Sequence, residues 1–274
     1  MVMPSSIDSS VQYLKNDQAL AVYKASDAGG ELVPHEGNYS NHTVSIENVR
    51  PIANQFDLDR EGFRLVDQFT TVNDFYDDSQ LKAYEAEVKS TIHGVIDASE
   101  ILIFDHTRRS SSATVRSTRN IRESSTVIHN DYSGDSGHVR LKDYLKATNG
   151  LDRTDLLSTD FSIVNIWRSI NGTVINHPLA MCDATSVDES DLVSVKREGR
   201  ERMGELQLML YRESHRWCYF PKMTYSEALM FKTFDSRTDG RTQFTPHTSI
   251  DDPTAPSDAP PRESIETRCF VFYQ

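Results

Sequence analysis

Residues 125–137 read STVIHNDYSGDSG, an apolar, β-branched run that breaks into a His-x-Asp triplet and then into turn residues. Strand side chains alternate faces with a period of two, so His129 and Asp131 point to one side, about two residue rises apart. Val127 and Ile128, just before them, supply a rigid strand. An imidazole nitrogen and a carboxylate oxygen so placed converge on one cation. A second imidazole completes the two-histidine, one-carboxylate facial set that leaves three positions open on Fe(II). The alternative is a strand end running into a turn, since most such triplets arise by chance.

Downstream of this stretch the chain is dominated by short apolar segments between turn residues: FSIVNIWRSI, LQLMLYR, HRWCYFPKM, EALMFKTFDS and RCFVFYQ all have strand character, and RLKDYLKA reads as a short helix. Upstream, EGFRLVDQFTTV (61–72) and EILIFDHT (100–107) read as strands. Between them Leu81, Tyr84, Val88, Ile92 and Val95 recur at spacings of three and four behind Asp77, Asp78 and Ser79, which predicts a helix over 77–95. A strand-rich second half behind a segment with one good helix predicts a mainly β fold, a double-stranded β-helix (jelly roll) core with supporting N-terminal helices. Residues 1–45, polar with scattered Gly and Pro, read as an irregular N-terminal arm over a single domain spanning 1–274. RRSSSATVRSTRNIRESS (108–125) reads as a mobile loop or lid, and DDPTAPSDAPPRES (251–264) as an ordered loop between two strands.

Two downstream histidines compete as third ligand. His215 opens HRWCYF and His247 lies in QFTPHTSIDDP, just before the last strand. When the first two ligands sit on an early core strand of a jelly roll, the third comes from a late strand, which favours His247. For His215 the alternative is a hydrogen-bonded histidine at a strand rim. A dicarboxylate co-substrate needs a fixed cation near the metal, and the planar fork of arginine suits a carboxylate. Arg262 and Arg268 follow His247, and Arg268 interrupts the apolar terminal strand, where a charge is expensive unless paired.

Composition narrows the partners. With 29 Lys and Arg against 41 Asp and Glu, the net charge of −12 repels the phosphates that a nucleic-acid binder must neutralise, and argues equally against anionic membrane surfaces. No apolar run approaches the ~20 residues of a membrane span, and the N-terminus lacks the pattern of a signal peptide, so a cytoplasmic location is expected. Three cysteines without C-x-x-C spacing argue against a disulfide framework or a zinc cage.

The blocks HNDYS, IVNIWRSI, HPLAMCDATSV, HRWCYFPKM, EALMFKTFDSRTDGRTQFTPHTSIDDP and APPRESIETRCFVF resemble the fungal hydroxylase/desaturase family of natural-product pathways, which is related to a gibberellin desaturase and to one component of a cephamycin methoxylase. The resemblance runs from about residue 60 to the C-terminus and is strongest over 125–272. It implies an Fe(II)- and 2-oxoglutarate-dependent oxygenase that uses O2 and hydroxylates or desaturates a small natural product, forming succinate and CO2. His129, Asp131 and His247 fall on the implied iron ligands, and Arg262 and Arg268 on the C-terminal arginines; Arg268 is the preferred holder of 2-oxoglutarate, with Arg262 as second choice. Asn165, Trp167 and Arg168 are expected to face the cavity from one strand and to bind substrate, the alternative for Arg168 being a salt bridge to Asp183 or Glu205. Rival readings are a catalytically silent jelly roll that binds a small molecule or serves as partner subunit to another enzyme, as the methoxylase relationship suggests, and a hydrolytic zinc site, in which the paired arginines have no obvious role; a homo-oligomer or a partner enzyme is the expected association.

Overall fold

A computed structural model describes residues 3–16, 21–24, 36–148, 153–199 and 203–274. The strands in chain order are β1 (Ser6–Leu14), β2 (Val22–Lys24), β3 (Tyr39–Asn48), β4 (Phe63–Asp67), β5 (Glu100–Ser110), β6 (His129–Asn130) and β7 (Phe161–Ser169). Then come β8 (Leu179–Cys182), β9 (Leu192–Glu198), β10 (Met203–Met209), β11 (Trp217–Tyr219), β12 (Glu227–Asp235), β13 (His247–Ser249) and β14 (Glu263–Phe272). Among the described residues they form two sheets, a major one ordered β1-β3-β11-β8-β13-β6-β10-β9-β2 and a minor one ordered β4-β12-β7-β14-β5. The two face each other as a jelly roll, in agreement with the expected fold class.

The helices are α1 (Asp78–His93), α2 (Ala113–Arg119) and α3 (Ser136–Ala147). Helix α1 starts where the sequence placed it, its Asp77 cap accepting from the Ser79 N–H. Its Tyr84, Val88 and Ile92 cover the outer face of the minor sheet over Val164, Ile166, Ile265 and Val271. The α3 residues Leu141 and Leu145 close one end of the intersheet space against Phe161, Ile163, Phe270 and Phe272. At the other end Trp167, Leu229 and Phe231 of the minor sheet meet Leu179, Met181 and Cys218 of the major sheet. Between these apolar ends lies a polar middle.

Two expectations are corrected. The described part of the arm is not irregular, while residues 1–2, 17–20 and 25–35 lie outside the described residues: β1 pairs antiparallel with β3 from Ser6↔Glu47 to Leu14↔Tyr39, and Ile7, Val11 and Tyr13 pack on Trp217 and Tyr219. The period-two burial of Ile7, Ser9, Val11 and Tyr13, with Ser6, Asp8 and Ser10 exposed between them, was present in SIDSSVQYL. The segment 108–125 is not a free loop either, because β5 runs on to Ser110 and Ser112 caps α2 by accepting from the Val115 N–H. The Pro-rich stretch is an ordered connection from β13 to β14 as expected. Among the described residues no helix is long and apolar enough to cross a membrane.

Gly62, just before β4, adopts φ +91°, and a Cβ there would overlap Oγ1 of Thr245. The Thr245 hydroxyl donates to the carbonyls of Gly62 (3.0 Å) and Lys232 (2.7 Å), which fixes the chain two residues before His247. Gly62→Ala is therefore expected to lower unfolding stability by about 1–3 kcal/mol in urea titration; an unchanged midpoint would show that this approach carries no strain.

Candidate metal centre and carboxylate pocket

His129 on β6 and His247 on β13 are direct partners across an antiparallel pair, with ring centroids 4.5 Å apart. Both are buried, at 5% and 2% exposure. The Nδ1 of His129 lies 2.9 Å from the Val127 carbonyl and that of His247 lies 3.0 Å from the Thr245 carbonyl. A carbonyl only accepts, so each Nδ1 carries a proton, which in the neutral ring leaves the lone pair on Nε2 for a ligand. Asp131 closes the set, its Oδ1 3.7 Å from Nε2 of His129. One ligand atom from each of the three residues lies within 4.8 Å of the others. Two imidazoles and one carboxylate, beside an open pocket, are a donor set suited to Fe(II).

The charges within this set are settled before any cation arrives. Burial first, and then the neighbouring His247 charge, push the His129 pKa down to about 3. For Asp131, burial acts to raise the pKa, but Arg268 and the two histidines overcome it and hold the carboxyl well below the usual range. At neutral pH the site thus presents an ionised carboxylate and a neutral His129.

The other oxygen of Asp131, Oδ2, accepts from Arg268 Nε (2.9 Å) and Asn165 Nδ2 (2.8 Å). Arg268 also donates through Nη1 to Asp105 (2.6 Å) and Thr107 (3.0 Å), and its Nη2 pairs with Glu266 at 2.5 Å. Three carboxylates therefore enclose this guanidinium. Arg262, buried at 3% exposure, differs in every partner. It donates to the His177 carbonyl (2.5 Å) and to the hydroxyls of Ser124 (2.5 Å) and Ser249 (3.3 Å), and its Nε has no partner. The guanidinium carbon lies 5.4 Å from the Trp167 ring centre. Burial first, and then the Arg109 charge, pull its pKa down to about 9, so it stays charged at neutral pH with no carboxylate paired to it. Arg262 lines one pocket of about 290 Å3 with His129, His247, Trp167, Arg109 and Glu266.

The residues expected to bind substrate separate. Asn165 supports Asp131 and Trp167 lines the pocket, both from the inner face of β7. Arg168 is on the other face, with no exposure, donating to the carbonyls of Gln68 and Tyr225 and lying over the rings of Phe75 and Tyr225. The expectation that it faces the cavity is corrected by the strand period itself, since positions 165 and 167 share a face that 168 does not. The alternative salt bridge is absent too, because Asp183 pairs with Arg216 and Glu205 accepts from Ser133. His215 lies away from the triad, between Tyr13 and Asp191.

Sequence reasoning missed Asn130, Asp105 and Glu266. Asn130 donates to the Thr233 carbonyl (3.2 Å) and accepts from the Thr245 N–H (3.2 Å), tying the two histidine-bearing segments together. Glu266 was visible in principle, two positions before Arg268 on the same strand face, and Asp105 as a charge within an apolar strand.

A sequence family described as an oxidoreductase/YMDC permease-like domain matches residues 11–272. The hydroxylase/desaturase CTB9 of Cercospora beticola is 31% identical over 268 residues, covering 90% of this chain and 81% of that protein. The Fe(II)/2-oxoglutarate-dependent dioxygenase nvfI of Aspergillus novofumigatus is 27% identical, with 86% and 84% covered. A solved structure of the iron and alpha-ketoglutarate-dependent endoperoxidase NvfI superposes with a TM-score of 0.81 over 98% of both chains at 22% identity, a likeness of fold.

Two outcomes follow from these charges. Arg268→Met leaves the buried Glu266, the nearly buried Asp131 and the half-exposed Asp105 without their cation and is expected to cost about 3–5 kcal/mol of unfolding stability, whereas Arg262→Met strands no carboxylate and is expected to cost less; chemical denaturation of both variants decides it. In the metal-free protein, His129 has an ordinary pKa of 6.5 unfolded and about 3 folded. The unfolded chain therefore takes up its proton first, and the His129 contribution is full above pH 6.5 and falls on acidification below it. The urea midpoint should drop between pH 6.5 and 5, by as much as about 1.4 kcal/mol per pH unit from this group, and drop less in His129→Gln.

Proposed function

The chain belongs to the fungal hydroxylase/desaturase family and is an Fe(II)- and 2-oxoglutarate-dependent oxygenase acting on a small molecule, in which we propose that His129, Asp131 and His247 hold the iron and Arg262 holds the far carboxylate of 2-oxoglutarate. The observation that carries the co-substrate assignment is the buried Arg262 guanidinium without a carboxylate, in the same pocket as the two free Nε2 atoms. This replaces the preference for Arg268, whose donors are already taken by Asp131, Asp105 and Glu266. The zinc-hydrolase reading leaves Arg262 unexplained, and the silent-subunit reading leaves the complete ligand set without a purpose.

Bound together, Fe(II) and 2-oxoglutarate supply, with O2, the oxidising power that removes hydrogen from an unactivated C–H position, the co-substrate leaving as succinate and CO2. The chain's own residues hold, orient and exclude. The backbone carbonyls of Val127 and Thr245 fix which nitrogen each histidine offers. Arg268 and Asn165 keep Asp131 ionised and turned so that one oxygen faces the imidazoles. Arg262 sets the direction in which a dicarboxylate enters, and Trp167 with Phe231, 4.8 Å from the His247 ring, forms the apolar wall that keeps water out. The substrate is a natural product of the kind these fungal pathways modify, placed so that one carbon faces the oxidant.

The test is an anaerobic titration of Fe(II) and 2-oxoglutarate that follows the visible metal-to-ligand charge-transfer band. The parent should form the band and His129→Ala should not. Arg262→Gln should weaken 2-oxoglutarate by about 100-fold, the loss of charge-assisted hydrogen bonds, while leaving Fe(II) affinity unchanged. Undiminished 2-oxoglutarate affinity in Arg262→Gln would sink the assignment.

A further inference from the structure

With Arg262 assigned to 2-oxoglutarate, and Arg268 and Arg168 satisfied by their own surroundings, three more arginines remain beside the same pocket. Arg109 lines it, two positions along β5 from Thr107. Arg122 is set next to Arg109 by a parallel bridge, its carbonyl accepting from the Ser110 N–H at 2.9 Å. Arg197 follows Val193 and Val195 at period two on β9, opposite Gly204. The parallel neighbour of Arg197 is Tyr23, whose ring centre lies 5.8 Å from that of His129 and whose hydroxyl is 3.1 Å from Ser125 Oγ in the pocket wall.

All three arginines are partly buried. Among the described residues none has a carboxylate within ion-pair distance: Arg109 donates to the Glu123 backbone carbonyl at 2.8 Å, and the side chains of Arg122 and Arg197 make no hydrogen bond. Burial lowers the pKa of Arg122 and of Arg197, and neighbouring arginines lower them further. A chain with 41 acidic residues against 29 basic ones has carboxylates to spare, so adjacent cations with no carboxylate among the described residues mark a place kept for an outside anion. A co-substrate between the histidines and Arg262 takes the inner part of this pocket, so a larger molecule has to extend outward past Arg109.

We propose that the substrate is an anion, carrying a carboxylate or an equally acidic oxygen, and that Arg122 and Arg197 hold this group at the outer end of the pocket while the rest of the molecule reaches toward the histidines. The proposal rests on the co-substrate reading above, in which Arg262 already provides for 2-oxoglutarate. Arg109, between the two sets, repels both Arg262 and Arg122 and is the cation that either anion would relieve.

The test uses a matched pair of probes, 2-naphthoate and 2-naphthamide, alike in size and differing in charge. Binding is measured by calorimetry on the anaerobic protein with Fe(II) and saturating 2-oxoglutarate, so that the probe cannot enter the Arg262 site. The naphthoate should bind about tenfold or more tighter than the amide, and the preference should vanish in an Arg122→Gln/Arg197→Gln variant whose thermal midpoint shows it to be folded. Equal binding of the two probes, no naphthoate binding at millimolar concentration, or a preference that survives the double substitution overturns the proposal. Should the charge-transfer band fail to form, the co-substrate reading fails by itself, and calorimetry on metal-free Arg262→Gln protein still reports on the outer arginine pair.

Discussion

Arg268 at 8% exposure, with Asp105, Asp131 and Glu266 around it, is the contact on which the geometry of the centre depends. A cation so deep is tolerable only when its donors are met, and removing either side of such a cluster leaves a bare charge in a medium that solvates it poorly. The cluster also spans the jelly roll. Asp105 and Glu266 belong to the minor sheet, while Asp131 directly follows β6 of the major sheet. The guanidinium therefore works as a strut across the polar middle, between apolar ends built from Trp167, Leu229 and Phe231 on one side and Phe161 and Phe270 on the other. Burial alone would drive the Asp131 carboxyl toward its neutral form, and the strut keeps it an ionised acceptor.

The two histidines are prepared differently, by backbone. Their strands are hydrogen-bonded neighbours, and each ring is locked by a carbonyl two residues earlier in its own chain. Asn130 adds a link between the β6 strand and Thr245, whose own carbonyl receives the His247 Nδ1–H. Because the supports are carbonyls and an amide rather than further titrating groups, the hold on ring orientation does not itself depend on pH. Preorganisation thus comes from the sheet, which a cation would find already aimed.

How much of this was legible in the sequence follows from which rules are local. The His-x-Asp triplet, the α1 cap and spacing, and the late His247 rest on periodicity and chain order, and the structure brings all of them to their expected places. The N-terminal strands were missed because polar outward positions in SIDSSVQYL diluted an alternation that was nonetheless there. Arg168 was misplaced by reading three neighbours as one face, when Val164, Ile166 and Arg168 alternate with Asn165 and Trp167. The respective roles of Arg262 and Arg268 were beyond local rules altogether. Arg268 looks unpaired in its apolar strand, and its partners Asp105 and Asp131 come from 163 and 137 residues away.

Arginines around this cavity are alike in sequence and are told apart only by what the fold puts beside them. Carboxylates enclose Arg268, which makes it a support for a ligand and deprives it of any donor to offer. Aromatic rings and backbone carbonyls enclose Arg168, which makes it part of the layer beneath α1. Hydroxyls and one carbonyl surround Arg262, which satisfies hydrogen bonds while leaving the charge uncompensated, the condition under which a carboxylate entering the pocket gains most. Among the described residues the side chains of Arg122 and Arg197 lack even these partners, and they are more exposed than Arg262. Cationic compensation thus increases from the solvent side inward, so an anion approaching from solvent meets the least compensated charge first and stops short of the paired Arg268. That gradient separates a site for the co-substrate from a support for the metal, although both are built from the same side chain.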